Sequence, residues 1–354
     1  MLALPPTRLA VQTAVLLPLA FVPLPLDPLA PVHQPLERIE VTDPSQAQGL
    51  VVEIYKPRGD GPYGAMVTVL GAVLPETRHD HRVVRIARGV ARQGAVVMVV
   101  ESLRLNQEEM VAADIDNMVE AFRYLRGQPY VDQAKVGFVG FSVGGSLALL
   151  AAQDQRISGD VAFVAAFGAY YDLSELIRAV TTGTDGRGRP WSPNRKTVSV
   201  LRRSVIATLE DTADRRLLSG ALLTNDPAPM PPGLSPGGRA AYELLANRDP
   251  GRTDELLGRL SPQSRRALAR LSPASSIGQL QAELFVIGTR SDDLIPFTES
   301  EALAAAIAGR GRLHYADLGL FRHVDATLPK NLFTLSLDVA RLYAQVYLLV
   351  WRAG

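Results

Sequence analysis

No cysteine occurs in the 354 residues, which excludes disulfides, thiolate nucleophiles and Cys-ligated zinc or iron–sulfur centres while leaving the redox compartment open. Histidine is scarce, with five in all, so an imidazole base has few candidates. Neither sign of charge dominates: 37 Lys and Arg stand against 36 Asp and Glu, a formal net charge of +1. No global field draws the chain toward nucleic acid or an anionic surface, and nucleic acid is not expected as a partner. There is no Walker-type phosphate loop, because Gly140-x-x-x-Gly144-Gly145 lacks the basic residue that would hold a phosphate. What abounds is apolar, 47% of the residues, enough for a substantial core in one large α/β domain or two ordinary ones.

A further scarcity is local. Between Arg8 and Asp27 there is no charge, and the run from Leu9 to Leu26 has about the length of a minimal membrane span. Pro18, Pro23 and Pro25 would break a helix in its second half. An apolar stretch from Ala14 to Val22 suits a signal peptide, yet no small-x-small cleavage site follows it. Residues 1–35 are therefore expected to form an apolar, Pro-rich arm. Signal, membrane anchor and surface arm stay open, and so does localisation in the cytoplasm, at a membrane or outside the cell.

After Pro35, Leu36 to Val41 and Gly49 to Tyr55 read as an antiparallel pair of strands around the turn-rich Thr42-Asp-Pro-Ser-Gln. Strand Ala65 to Leu70, helix His81 to Arg92, strand Ala95 to Val100, helix Glu108 to Arg126, strand Lys135 to Val139, a helix from Val143 and strand Asp160 to Phe167 then alternate. Near-continuous apolar strands alternating with helices predict a mostly parallel, doubly wound sheet covered on both faces. The alternation stops at Asp172. From Leu173 to Ile277 only helix-like segments appear, Ser174 to Val180, Val198 to Glu210 and Arg239 to Asn247 among them, and the β pattern resumes at Glu283 to Ile287. Helix Phe297 to Ala308, strand Leu313 to Leu318 and a helix from Leu332 to Trp351 complete the reading. The expected organisation is a core over 36–172 and 278–354, interrupted by a helical cap insertion over 173–277.

The most informative segment is Lys135-Val-Gly-Phe-Val-Gly140-Phe-Ser142-Val-Gly144-Gly145-Ser-Leu-Ala-Leu-Leu150. Gly-x-Ser-x-Gly alone arises by chance in about one chain in eight of this length. Here it joins a buried-strand pattern to a helix-forming run, the context that forces a serine onto a sharp strand-to-helix turn with its hydroxyl held out. Gly140 and Gly144 lack the Cβ atoms that would collide there. The plain alternative is a Gly-rich turn with Ser142 as a helix N-cap.

A serine hydroxyl needs a base, and the base needs a carboxylate to hold its tautomer. Loops after later strands supply both. Leu284-Phe-Val-Ile-Gly288-Thr-Arg-Ser-Asp292-Asp293-Leu-Ile295-Pro296 ends a strand at Gly288 and offers two carboxylates. Among the histidines, His33 lies in the arm, His79 and His81 precede Ser142, and His314 falls inside the last strand. His323, in Leu318-Gly-Leu-Phe-Arg-His323, occupies the loop after that strand, so the chain order is serine, acid, histidine.

These three segments together resemble the α/β-hydrolase superfamily over about Leu36 to Trp351, most like its dienelactone-hydrolase, acetyl-esterase and prolyl-oligopeptidase-like branches. The acid turn of that superfamily reads Asp-x-x-(Val/Ile)-Pro, so matching Ile295-Pro296 assigns the acid to Asp292, with Asp293 one residue away as the alternate. The resemblance implies an α/β-hydrolase fold and a serine hydrolase with catalytic Ser142, Asp292 and His323, acting on a small-molecule acyl ester through an acyl-enzyme. Dienelactone hydrolases proper carry Cys where this chain has Ser142, so their substrate does not transfer. The implied oxyanion hole is the backbone N–H of Val143 plus one from Ala72, or alternatively Val73, where Leu70-Gly71 replaces the His-Gly often found in the family. Peptide hydrolysis and a catalytically silent binding protein remain the competing readings. No cofactor and no metal are expected: His79-Asp80-His81 has no further His or Cys cluster beside it. Asp114 and Asp116 read as surface or capping charges. Oligomeric state is open.

Overall fold

The structure, a computed structural model, describes residues 36–41, 50–223, 229–310, 312–319, 321–323, 325–326 and 332–353. The expected N-terminal arm, residues 1–35, lies outside the described residues. Within them no helix is long and apolar enough to cross a membrane.

Eight strands form one sheet in the order β1-β2-β4-β3-β5-β6-β7-β8. They are β1 Leu36–Val41, β2 Leu50–Pro57, β3 Tyr63–Val69, β4 Val96–Ser102, β5 Val131–Phe141, β6 Phe163–Phe167, β7 Glu283–Gly288 and β8 Leu313–Asp317. The first two are antiparallel, as their register shows (Leu36 opposite Pro57, Leu50 opposite Ser102), and all later pairings are parallel. Alternation along each strand divides the core between two faces. Val67, Met98 and Val100 pack with α2 Ala113–Arg126 and α3 Val143–Ala152. Met66, Val97 and Val99 pack on the other face with α1 His81–Ala91 and α11 Leu332–Ala353. Burial on both faces is why these strands read as unbroken apolar runs.

β3 leads through α1 to β4 on one side, and β4 leads through α2 to β5 on the other. The loops after the neighbouring strands β3 and β5 thus run to opposite faces of the sheet. In an open α/β sheet this switch point creates a crevice beyond the carboxyl ends of the strands. The serine turn closes one of those two loops.

Between β6 and β7 the described residues form six α-helices: α4 Leu173–Thr182, α5 Arg195–Ala207, α6 Thr212–Leu222, α7 Pro236–Leu245, α8 Thr253–Arg259 and α9 Pro262–Arg270. Among the described residues this segment adds no strand beyond a single bridge, Thr184 to Pro190. The helices α6, α8 and α9 are not among those read from the sequence. Two of them start at ordinary caps, Asp211 accepting from Ala213 N and Ser261 from Ser264 N. α10 Phe297–Ile307 follows β7, and a two-residue hairpin, β9 Phe321–Arg322 with β10 Asp325–Ala326, follows β8.

One sequence expectation fails in the α2 region. The helix begins at Ala113 rather than Glu108, and Asp114 is fully buried instead of lying at the surface. Its carboxylate accepts the Val111 N–H at 2.9 Å and the Ser102 hydroxyl at 3.0 Å. Those contacts hold residues 103–112 as a loop, and burial nevertheless raises the Asp114 carboxyl above its ordinary range.

Candidate active site

At the end of β5 the backbone turns sharply, and Ser142 takes φ 56 and ψ −134, a conformation that non-glycine residues adopt only where the surroundings enforce it. Its N–H donates to Phe167 O at 2.8 Å, and Gly145 N–H donates back to Ser142 O at 2.8 Å. Glycine is required beside it. A Cβ on Gly144 would lie 2.6 Å from Val69 O, and one on Gly140 would lie 2.5 Å from Gly144 O. Ser142 occupies the N-cap position of α3, but its side chain makes no cap hydrogen bond. The hydroxyl is left free for other work, which the plain N-cap reading did not foresee.

Asp292 and His323 meet. His323 Nδ1 lies 2.7 Å from Asp292 Oδ2, with both side chains buried. The other oxygen, Oδ1, accepts the N–H groups of Leu294 at 2.8 Å and Ile295 at 2.9 Å, so the carboxylate cannot rotate without losing two bonds. The Asp293 carboxylate lies beside Asn194 instead, with Oδ2 3.5 Å from Asn194 Nδ2, and its main-chain carbonyl accepts the Asn194 N–H at 2.7 Å. His323 sits in the turn between β9 and β10 with φ 59. Its ring packs on Gly168, where a Cβ would stand 3.0 Å from Nδ1 and from Cε1. Gly168 follows Phe167, whose carbonyl holds Ser142. The end of β6 therefore touches the serine turn on one side and the imidazole on the other.

A cavity of about 30 Å³ opens beside Ser142, with Val143 and Ala72 also in its wall. Val143 is the first residue of α3, so its N–H has no acceptor within the helix. Met110, Leu173, Leu176, Val200 and Leu201 make most of the remaining wall apolar. Val73, the alternate donor, is not among the lining residues.

His33 lies outside the described residues, and two of the other histidines are engaged elsewhere. His79 bridges the buried Glu53 and the exposed Glu76, with Nδ1 2.8 Å from Glu76 Oε2. His81 is exposed. His314 stacks on Phe285 at 4.5 Å between ring centroids and lies 2.6 Å from Glu283 Oε1. Among the described residues no group of three or more His, Cys, Asp or Glu is arranged to hold a metal ion.

Sequence reasoning missed how the helical segment grips the acid loop. Trp191 Nε1 donates to Asp292 O at 2.9 Å, and Thr197 Oγ1 donates to Leu294 O at 2.9 Å. Trp191 is one of two tryptophans in the chain, and that scarcity is its one local signal.

A family model for the alpha/beta hydrolase fold matches residues 71–232, from the loop after β3 into the helical segment. No curated protein matches the sequence. Among solved structures, a bifunctional GH43-CE protein of Bacteroides eggerthii superposes with a TM-score of 0.51 at 17% identity, over 90% of this chain and 38% of that one. Dipeptidyl peptidase 4 of Porphyromonas gingivalis gives 0.50 at 14% identity, over 91% and 36%. The hyperthermophilic esterase of the archaeon Pyrobaculum calidifontis gives 0.47 at 18% identity, over 97% and 88%. The chain thus spans little more than a third of the first two, and at these identities the likeness is one of fold.

Proposed function

We propose that this chain, a hydrolase of the α/β-hydrolase superfamily, cleaves a carboxylic ester through a covalent acyl-enzyme, with Ser142 as nucleophile, His323 as base and Asp292 as the carboxylate that orients the base. The observation that carries the reading is the buried 2.7 Å contact between His323 Nδ1 and Asp292 Oδ2, made beside a strained serine whose hydroxyl is not spent on a cap. A carboxylate at Nδ1 keeps the proton there and leaves the Nε2 lone pair for the serine. His323 Nε2 takes the Ser142 proton as Oγ attacks the acyl carbonyl. The developing oxyanion accepts N–H bonds from Val143 and Ala72. Collapse breaks the ester bond, and the alcohol leaves with the proton from His323. Water, deprotonated by the same imidazole, then releases the acid and restores Ser142.

The helical segment 173–277 serves as a cap in this reading. It supplies Leu173, Leu176, Val200 and Leu201 to the apolar wall, and a cavity of about 30 Å³ has room for only one or two waters, which favours a short acyl group. A fluorophosphonate probe should label wild type and leave Ser142→Ala unlabelled. p-Nitrophenyl acetate should turn over faster than the octanoate, and His323→Ala should lose roughly 10⁶-fold in kcat with an intact fold. A folded wild type that ignores the probe while a control esterase reacts would favour a catalytically silent binding protein.

A further inference from the structure

We propose that Glu101 is a positioning residue for the oxyanion hole: from the end of β4 it fixes the loop that carries the Ala72 N–H. This rests on the serine-hydrolase reading above. The loop after β3 starts in contact with the serine turn, since a Cβ on Gly71 would lie 2.8 Å from Phe141 O and 3.0 Å from Ser142 Cβ. Ala72 follows immediately, in the wall of the cavity. Nothing in the sheet ladder holds it, because β3 ends at Val69. Upstream, the loop is tied by Leu70 N–H to Val100 O at 3.2 Å. Downstream, the next tie to another element is the Glu76 N–H, 2.8 Å from Glu101 Oε1. Both ties are made by adjacent residues of one strand.

Glu101 is 1% exposed, and every contact on its carboxylate comes from one of two loops. Oε2 accepts Arg78 N–H at 3.1 Å and Arg78 Nη1 at 3.3 Å, and Oε1 also accepts Asn106 Nδ2 at 2.7 Å. Glu76 itself is held at φ 67, a left-handed conformation that costs free energy in a non-glycine residue unless its surroundings enforce it. A buried carboxylate is a poor device for stability alone, because an apolar side chain of similar size often does as well. An apolar side chain cannot accept two backbone N–H groups at once, and that is the feature the loop uses. Ala72 and Val73 pack against the core, but Leu74 is 75% exposed, so packing holds the start of this span and leaves its far end to Glu101.

The test compares Glu101→Gln with Glu283→Gln in the full chain. Glu283 is a half-buried carboxylate at the start of β7, the opposite end of the sheet from the serine turn, and it binds the His314 side chain. The glutamine at 101 must turn its NH₂ toward one of the two backbone N–H groups, releasing part of the loop. With p-nitrophenyl acetate, Glu101→Gln should lower kcat by roughly tenfold or more while KM stays within about twofold, since one oxyanion donor is worth 10²–10³. The Ki of an aryl boronate, whose tetrahedral adduct on Ser142 uses the same hole, should rise by the factor that kcat falls. Glu283→Gln should lower the melting temperature and leave the boronate Ki alone. Unchanged kcat in Glu101→Gln, or a fall in kcat with an unchanged boronate Ki, overturns the proposal. If Glu101→Gln does not fold, hydrogen exchange in wild type decides: Glu76 and Arg78 amides must exchange more slowly than those of Ala72 and Val73, and equal rates overturn it. Slow exchange at Glu76 and Arg78 in a wild type that also ignores fluorophosphonate would instead overturn the hydrolase reading and, with it, the catalytic role of Glu101.

Discussion

Replacing Glu299 by Gln should make the protein more stable above neutral pH, by an amount its surroundings define. Glu299, near the start of α10, is 3% exposed, and its Oε2 accepts the N–H groups of Tyr171 and Asp172 at 2.8 Å each. It fastens the entry to the helical segment onto the core. Burial pushes its carboxyl up from the ordinary 4.5 to about 7, against the opposing effect of the two N–H groups and with Asp172 and Glu175 adding to the rise. Between those two pH values the folded protein keeps a proton that the unfolded chain has released. The native state binds more protons there, so stability falls as pH rises through the window, and the loss is complete above about pH 7. At about 1.4 kcal/mol for each tenfold change, the loss is on the order of 3 kcal/mol. A glutamine carbonyl can still accept both N–H groups and cannot ionise. Urea unfolding of wild type and Glu299→Gln at pH 5, 6, 7 and 8 reads the effect, and subtracting the two curves removes every other titrating group. The variant's advantage should grow with pH toward the order of 3 kcal/mol. An advantage independent of pH, or a variant less stable than wild type at pH 8, refutes the burial argument.

Three further outcomes are expected. Asp292→Asn should reduce kcat by about 10⁴, while Asp293→Asn should stay within about threefold of wild type; steady-state kinetics on one short ester distinguishes them. Gly144→Ala places a methyl 2.6 Å from Val69 O and 2.7 Å from Leu70 O, so thermal melts should show a loss of about 1–3 kcal/mol from overpacking, with fluorophosphonate labelling slowed. Leu201→Ala enlarges the apolar wall of the cavity and should shift the p-nitrophenyl ester preference toward longer acyl chains, seen as a rise in the ratio of butyrate to acetate kcat/KM.

Much of the architecture is legible in the chain because it depends on local patterning. β-branched runs buried on both faces, alternating with helices, announce a doubly wound sheet, and the Gly140 to Gly145 stretch announces a sharp turn because only glycine leaves room there. The helical segment was legible as an absence of strands, though α6, α8 and α9 escaped a reading that relied on apolar periodicity. Asp114 was misread for a related reason: a charged residue on a helix looks like surface until the neighbouring strand presents Ser102 to it.

By itself the sequence determined the sheet class, the strained serine and a short roll of acid and histidine candidates, since each follows from backbone sterics, periodicity or chain order. Tertiary structure decided which of two adjacent aspartates faces the histidine. The Leu294 and Ile295 N–H groups turn Asp292 toward His323, and the Asp293 carboxylate lies beside Asn194 of the helical segment. It also decided that Glu101, Trp191 and Glu299 bear on the site or its attachment, because the backbone groups they bind lie 23 or more residues away along the chain. Contacts at such separations depend on how the strands are ordered in space, and no local pattern records that order.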